Sequence, residues 1–132
     1  MVKIPKGYGT MFPYIFAQNA DKYISFLKDA LGAEEIGVTK APDGTVANAR
    51  IRLGTTTFMV SEAGEGYGPT SSAFYVYVEN ADSAFQKAVA KGAEPIHAPM
   101  DMHYGDRQGG VRDSSGNIWW ISQRLVDEPY DA

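Results

Sequence analysis

Helical and alternating patterns of apolar residues divide the 132-residue chain into two similar halves. Residues 19–35 read NADKYISFLKDALGAEE, and residues 80–95 read NADSAFQKAVAKGAEP. Each segment begins with an Asn suited to cap a helix and continues with apolar side chains at helical spacing. Each then reaches a glycine suited to end a helix, Gly32 in the first and Gly92 in the second. This shared frame predicts a duplicated unit whose second helix is one residue shorter.

Segments rich in aromatic and β-branched residues flank both helices and predict strands. The segments before the helices are MFPYIFAQ and SAFYVYVE. After the first helix come EEIGVTK, VANARIRL and GTTTFMVSE, and after the second come a short EPIHA, a long loop around PMDMHYGDRQ, then GGVRD and IWWISQR. We therefore expect an α+β chain of two βαβββ modules, at about residues 8–63 and 72–124, with a Gly-rich linker at 64–71 and an exposed tail at 125–132.

The composition narrows the possible partners. Twelve Lys and Arg against sixteen Asp and Glu give a net charge of −4, which argues against nucleic acid because phosphate binding needs a basic surface. The absence of cysteine excludes disulfides, thiolate metal sites and cysteine nucleophiles. The sequence contains no apolar run of membrane-spanning length and no signal-peptide core at its N-terminus. We expect a cytoplasmic protein with neither nucleic-acid nor membrane partners.

The chain resembles the vicinal oxygen chelate superfamily, which includes glyoxalase I, extradiol dioxygenases and bleomycin-resistance proteins. The resemblance rests on IPKGYGTMFPYI, FLKDALGAEE, PDGTVANARIRLG, FYVYVENADSAFQKAVAKGAEP and YGDRQGGVRDSSGNIWWIS, and looks most like the PhnB-like branch. It implies two βαβββ modules that form a curved mixed sheet, with the helices on the convex face and a ligand on the concave face. Metal enzymes and metal-free binding proteins share this fold, so the fold alone does not give the function.

The resemblance places the family's four metal-ligand positions at Phe12, Met59, Ala73 and Trp120. A divalent ion needs several N, O or S donors that converge at about 2.0–2.3 Å. Phenyl, methyl and indole side chains provide none, and a thioether is a poor ligand for such ions. A register error of one residue restores no donor. We therefore expect no metal site and no cofactor.

Strand parity assigns the two adjacent tryptophans of GNIWWIS to opposite faces, because side chains alternate along a strand. Trp120 then faces the ligand, whereas Trp119 joins the core. The same alternation predicts a ligand-binding face with rings that stack on planar molecules and cations that bind a carboxylate. Its predicted members are Phe12, Tyr14, Phe16, Arg50, Arg52, Met59, Tyr75, Tyr77, His103 and Trp120. The pattern leaves open whether these rings only fill the face as core.

The predicted loop before GGVRD contains the candidates for catalysis, His103, Asp106 and Arg107. His103 and Asp106 are groups that transfer protons in enzymes. The alternative interpretation is a structural ion pair between Asp106 and Arg107, with His97 and His103 as ordinary loop histidines. If Arg107 does not form this ion pair, the other interpretation is that it contacts an anionic substrate. Glu62 is interpreted as a solvated charge at a strand end.

Together these features favour a metal-independent protein that binds a planar or aromatic small molecule, similar to the drug-sequestering members of the superfamily. Those members bind antibiotics at a dimer interface, so we also expect a homodimer. Two alternatives stay open: a glyoxalase-like lyase, isomerase or dioxygenase that uses a divalent metal, and a non-catalytic dimeric module. The non-ligating residues favour a protein that is not an enzyme. The sequence identifies neither the ligand nor the pathway.

Overall fold

The computed structural model describes residues 1–130, and the chain divides after Thr70 into two compact units. Each unit has the element order β-α-β-β-β and a four-stranded mixed sheet with one helix, which confirms the predicted α+β fold of two βαβββ modules. Between residues 1 and 130, neither helix has the length and apolar character needed to cross a bilayer.

The first unit contains β1 (Tyr14–Ala17), α1 (Ala20–Leu31), β2 (Glu34–Lys40), β3 (Val46–Leu53) and β4 (Thr56–Glu62). Its sheet has the order β1-β4-β3-β2, in which β1 and β4 run parallel and the other pairs antiparallel. Helix α1 packs on one face of this sheet. The residues buried between them are Ile15, Ala17, Tyr23, Ile24, Leu27, Ala49, Ile51, Phe58 and Val60.

The second unit repeats this arrangement with β5 (Ala73–Tyr77), α2 (Ala81–Ala90), β6 (Glu94–Asp101), β7 (Asp106–Arg112) and β8 (Ile118–Arg124), in the sheet order β5-β8-β7-β6. Trp119 lies in its core with only 3% of its surface exposed. Its indole N–H donates to Asp113 Oδ2 at 2.8 Å, and its ring lies 4.8 Å from the Phe74 ring. The predicted core position of Trp119 is therefore confirmed.

Both predicted helix caps are present. The Asn80 side chain accepts a hydrogen bond from the Ser83 amide at 3.0 Å, and Asn19 caps α1 in the same manner from a left-handed backbone conformation, φ 53°. Gly32 ends α1 at φ 73°, a conformation in which a Cβ would be strained. Helix α2 has 10 residues against 12 in α1, so it is shorter by two residues, not by one.

Two predicted boundaries are wrong. Strand β1 begins at Tyr14, so Phe12 lies in the segment before the sheet. Strand β6 continues through His97 to Asp101, and the predicted long loop is reduced to a tight turn at residues 102–105. This segment contains prolines, which are tolerated because β6 is an edge strand and register shifts interrupt its pairing with β7.

Candidate ligand-binding faces

The face of each sheet opposite its helix carries the predicted ligand-binding residues except Phe12 and His103, which lie outside the strands, and we call these the first and second outer faces. The register pairs Tyr14 with Met59 in the first sheet and Tyr75 with Trp120 in the second. Side chains of the first outer face are Tyr14, Phe16, Asn48, Arg50, Arg52, Met59 and Ser61, and those of the second are Tyr75, Tyr77, Asp106, Gln108, Trp120, Ser122 and Arg124.

A groove of about 750 Å³ runs along the first outer face. Three rings form one wall, since Phe16 lies 5.0 Å from Tyr14 and stacks on Tyr67 at 5.5 Å between ring centroids, with 24° between the planes. Tyr67 belongs to the Gly-rich connector, where a tight turn with Gly64 presents it. The groove is lined by Tyr14, Phe16, Asp43, Thr45, Val46, Ala47, Ser61, Glu62, Ala63, Gly64 and Tyr67.

A short chain of hydrogen bonds fixes the polar side of this groove. The Tyr14 hydroxyl lies 2.6 Å from Ser61 Oγ, which donates to the Ala47 carbonyl at 2.8 Å. The Asn48 amide donates to the Tyr14 hydroxyl at 3.1 Å. Because these groups hold one another, the Tyr14 ring has a fixed orientation and its hydroxyl is a ready partner for a polar group of a ligand.

The two predicted arginines of the first outer face bind neutral groups. Arg50 donates to the Asn48 side-chain oxygen at 3.0 Å and lies over Gly37, while Arg52 donates to Thr57 Oγ1 at 3.1 Å. Within residues 1–130, neither arginine forms an ion pair with a carboxylate. Their positive charges therefore have no carboxylate partner within hydrogen-bonding reach in this part of the chain.

The residues at the four positions of the family's metal ligands do not fit a metal ion. Phe12 precedes β1, and Ala73 is the first residue of β5. Met59 and Trp120 lie at corresponding positions of β4 and β8, each paired with a tyrosine of the first strand of its unit. Their only donor atom is the Met59 sulfur, which lies 3.4 Å from the Asn48 amide. Between residues 1 and 130, no three His, Asp or Glu side chains come together as a metal site.

Trp120 lies flat against the second sheet. A Cβ at Gly110 would come within 2.5 Å of the indole, so only glycine leaves room for this ring on β7. On β6, the His97 ring stacks with Trp120 at 5.8 Å and 28° between the planes. The interpretation of His97 as a loop histidine is wrong, because it is part of a strand.

A buried carboxylate dominates the rest of the second outer face. Asp106 is completely buried and accepts hydrogen bonds from the hydroxyls of Tyr75 and Tyr130, the latter at 2.6 Å, and from Arg124 Nη1 at 2.9 Å. Burial alone would raise the pKa of Asp106, but the hydrogen bonds from Tyr130, Tyr75 and Arg124 outweigh it and hold the pKa below its usual value. Burial, followed by the bond to Asp106, raises the pKa of Tyr75 to about 12.

The predicted ion pair between Asp106 and Arg107 is wrong, because adjacent strand residues point to opposite faces. Arg107 lies on the helix side, where it binds Asp82 in the first turn of α2 and Asp101 on β6, each at 3.0 Å. His103 is exposed in the turn, and its ring centroid lies 5.1 Å from that of Tyr104. The structure thus does not bring His103, Asp106 and Arg107 together.

Glu62 caps a helix, so its interpretation as a solvated charge is wrong. Its carboxylate accepts from the backbone amides of Asn19 and Ala20, both at 2.8 Å. In the second unit, Gln123 accepts from the Ala81 amide at 2.9 Å. Each side chain extends from the end of the last strand of its unit and satisfies orphan amides of the helix.

Three residues of the outer faces were missed by sequence reasoning: Tyr67, Arg124 and Tyr130. The alternation that placed Trp120 also places Arg124 on the same face, so Arg124 could have been predicted from the sequence. A ring amid glycines was the only signal for Tyr67. Nothing local marked Tyr130, which the prediction put in an exposed tail.

Comparisons with known proteins agree on one family. The model of the Glyoxalase/Bleomycin resistance protein/Dioxygenase superfamily matches residues 10–121. An uncharacterized protein of Mycobacterium bovis is 30% identical over 130 residues, which cover 90% of this chain and 86% of that protein. TioX from Micromonospora sp. ML1 has a TM-score of 0.76 at 27% identity, covering 89% of this chain and 99% of its own.

A more distant solved structure has the same fold. TnmS3, an antibiotic binding protein from Streptomyces sp. CB03234, has a TM-score of 0.70 at 13% identity and covers 88% of this chain and 95% of its own. At this identity, the likeness concerns the fold alone.

Proposed function

We propose that this chain, which belongs to the Glyoxalase/Bleomycin resistance protein/Dioxygenase superfamily, binds a planar or aromatic small molecule without the help of a metal ion. The observation that carries the proposal is the wall of three rings, Tyr14, Phe16 and Tyr67, along a groove of about 750 Å³. A volume of this size accommodates a drug-sized molecule. Stacked aromatic side chains favour planar ligands because offset ring contacts add about 0.5–1.5 kcal/mol to the burial of area.

The polar groups of the first outer face suggest what else the ligand carries. The Tyr14 hydroxyl lines the groove and suits a planar molecule with a hydrogen-bonding substituent. Arg50 and Arg52 lie on the same outer face but outside the groove lining, whose charged residues are Asp43 and Glu62. Sequestration of an antibiotic is one such role, and TnmS3 shows that this fold is used by an antibiotic binding protein. Metal independence is supported by the side chains at Phe12, Met59, Ala73 and Trp120, which offer no set of donors.

The test is equilibrium binding of a panel of planar aromatic compounds, first by thermal shift and then by calorimetry, before and after dialysis against EDTA. We expect at least one compound to stabilise the protein equally in both conditions. Tyr67→Ala removes one ring of the wall and should weaken binding about tenfold, whereas Tyr67→Phe keeps the ring and should bind as the wild type does. Loss of binding after dialysis against EDTA would contradict the proposal. Equal binding by the wild type, Tyr67→Ala and Tyr67→Phe would also contradict it.

We also propose that the protein forms a homodimer. The rings of Tyr75 and Tyr77 are 43% and 55% exposed on β5, and apolar Ile96 and Met100 are exposed on β6, at the opposite edge of the same sheet. Exposed apolar clusters of this kind are typical of surfaces that associate. Light scattering on the purified protein should give twice the mass of 14.4 kDa, and a monomer at micromolar concentration would contradict the proposal.

A further inference from the structure

The segment after β8 folds back onto the second outer face. The Leu125 amide donates to the Gly105 carbonyl at 2.9 Å, and Arg124 Nη2 donates to the Glu128 carbonyl at 2.6 Å. These bonds bring Tyr130 over the sheet. Tyr130 is exposed, as predicted for the tail, but its hydroxyl is bound to the sheet.

Tyr130 makes the contacts of a bound phenol. Its hydroxyl donates to Asp106 Oδ2 at 2.6 Å and lies 2.5 Å from the Tyr77 hydroxyl. The guanidinium of Arg124 lies 4.2 Å from its ring centroid, within the range of a cation–π contact. The acceptor, the cation and the second hydroxyl all belong to strands, whereas Tyr130 comes from the segment that follows them.

We propose that the second outer face contains a binding site for a phenolic hydroxyl at Asp106, and that Tyr130 occupies this site as a removable internal ligand. A phenol-bearing aromatic molecule that displaces Tyr130 would donate to Asp106 Oδ2 and place its ring on the Arg124 guanidinium. Asp106 also retains its bonds to Tyr75 and Arg124 in the absence of Tyr130, so the carboxylate stays charged and oriented.

The small number of hydrogen bonds that hold the segment after β8 favours displacement of Tyr130. Tyr130 is 45% exposed, and the Glu128 carbonyl and the Tyr130 hydroxyl are the points at which residues 127–130 are held to the sheet. A tethered group competes with free ligand at an effective concentration on the order of millimolar. A site built on rigid strands and covered by such a segment is closed without a ligand and opened by one.

This inference goes beyond the proposed function, because neither its residues nor its test involve the groove of the first unit. The probe is p-cresol, which is the tyrosine side chain as a free molecule, and the control is toluene, which lacks the hydroxyl. Binding is measured by titrations followed in two-dimensional amide NMR spectra of the wild type, Tyr130→Ala, Tyr130→Phe and the double variant Asp106→Asn/Tyr130→Ala.

We expect Tyr130→Ala to bind p-cresol at least about tenfold more tightly than toluene, since a hydrogen bond to a charged group supplies that preference. The wild type should bind p-cresol at least about tenfold more weakly than Tyr130→Ala, because the tethered hydroxyl competes. Tyr130→Phe should lie between the two, which also tests the site if Tyr130→Ala is poorly folded. The double variant should lose the preference for p-cresol.

Three results would overturn the inference. The first is equal binding of p-cresol and toluene by Tyr130→Ala. The second is equal binding of p-cresol by the wild type and both Tyr130 variants. The third is a preference for p-cresol that survives Asp106→Asn. None of them bears on ligands of the groove beside Tyr67, so failure of this inference and failure of the proposed function are separable.

Discussion

The two outer faces are built on the same frame but carry different side chains at corresponding positions. Val46 in the first unit corresponds to Asp106 in the second. Val46 lies four residues before Arg50, which pairs with Met59, and Asp106 lies four residues before Gly110, which pairs with Trp120. The last strands differ in the same way, since β4 is followed by Ala63 where β8 ends with Arg124. An apolar pair in the first unit thus corresponds to an ion pair in the second.

The segments that follow the two sheets repeat the comparison. The connector after β4 stacks Tyr67 on Phe16 and leaves Val46 and Ala63 lining a groove. The segment after β8 brings Tyr130 to Tyr77, the counterpart of Phe16, and its hydroxyl fills the acceptor site at Asp106. Both units keep apolar residues on the helix-facing side of the sheet, although the side chains differ, whereas the outer faces differ in polarity and charge.

The largest expected effect separates the two sides of the second sheet. Trp119→Ala removes a buried ring and its bond to Asp113, and should lower the free energy of unfolding by about 3–5 kcal/mol. Trp120→Ala removes a partly exposed ring from the outer face and should cost about 1–2 kcal/mol. Urea unfolding followed by far-UV circular dichroism measures both. Equal losses would mean that Trp120 is core, and that its place on a ligand-binding face is wrong.

Two arginines test the ion pair of the second outer face. Arg124→Met leaves buried Asp106 without its cation and should destabilise the protein by about 2–3 kcal/mol. Arg107→Met, on the opposite face of the same sheet, breaks only solvated pairs with Asp82 and Asp101 and should cost less than about 1 kcal/mol. The measurement is again urea unfolding. The reverse order of the two losses would contradict the assigned roles.

The two units also differ in the side chain that caps the helix, which is the charged Glu62 for α1 and the neutral Gln123 for α2. Glu62→Ala removes a charged acceptor from two amides at the N-terminus of α1, and should cost about 1–2 kcal/mol. Gln123→Ala removes a neutral acceptor from one amide of α2 and should cost about half as much. Thermal unfolding of both variants gives the ranking. Glu62→Gln keeps the acceptor without the charge, so its stability should lie between that of the wild type and that of Glu62→Ala.

The smallest effect concerns pH. Because the pKa of Tyr75 is raised to about 12, its bond to Asp106 stabilises the protein fully below pH 10, the usual pKa of tyrosine, and this contribution is lost as the pH rises through 12. Asp106→Asn should move the ionisation of Tyr75 back toward pH 10, which absorbance at 295 nm detects. Asp101→Asn, a carboxylate outside this cluster, should leave the titration unchanged.

Much of this architecture follows from local pattern. The repeated cap-to-glycine frame predicted both helices, and the bounds predicted for β2, β3 and β8 are those observed. Period-2 alternation put Trp119 and Trp120 on opposite faces, and the family resemblance implied that Trp119 is the core residue. The predicted end of β6 was wrong, and its edge position, which tolerates prolines, is a property of the sheet and not of the segment.

The sequence by itself therefore determined the duplicated βαβββ units, the side of the sheet on which each strand residue lies, and the lack of donors at the family's metal positions. Only the tertiary structure decided which polar groups meet. Asp106 binds Arg124 eighteen residues away, Tyr130 twenty-four away and Tyr75 thirty-one away, and does not bind the adjacent Arg107. Alternation along a strand is local and can be read from neighbours, whereas partners across strands and in the segments that follow them depend on register and chain reversal, which no short stretch encodes.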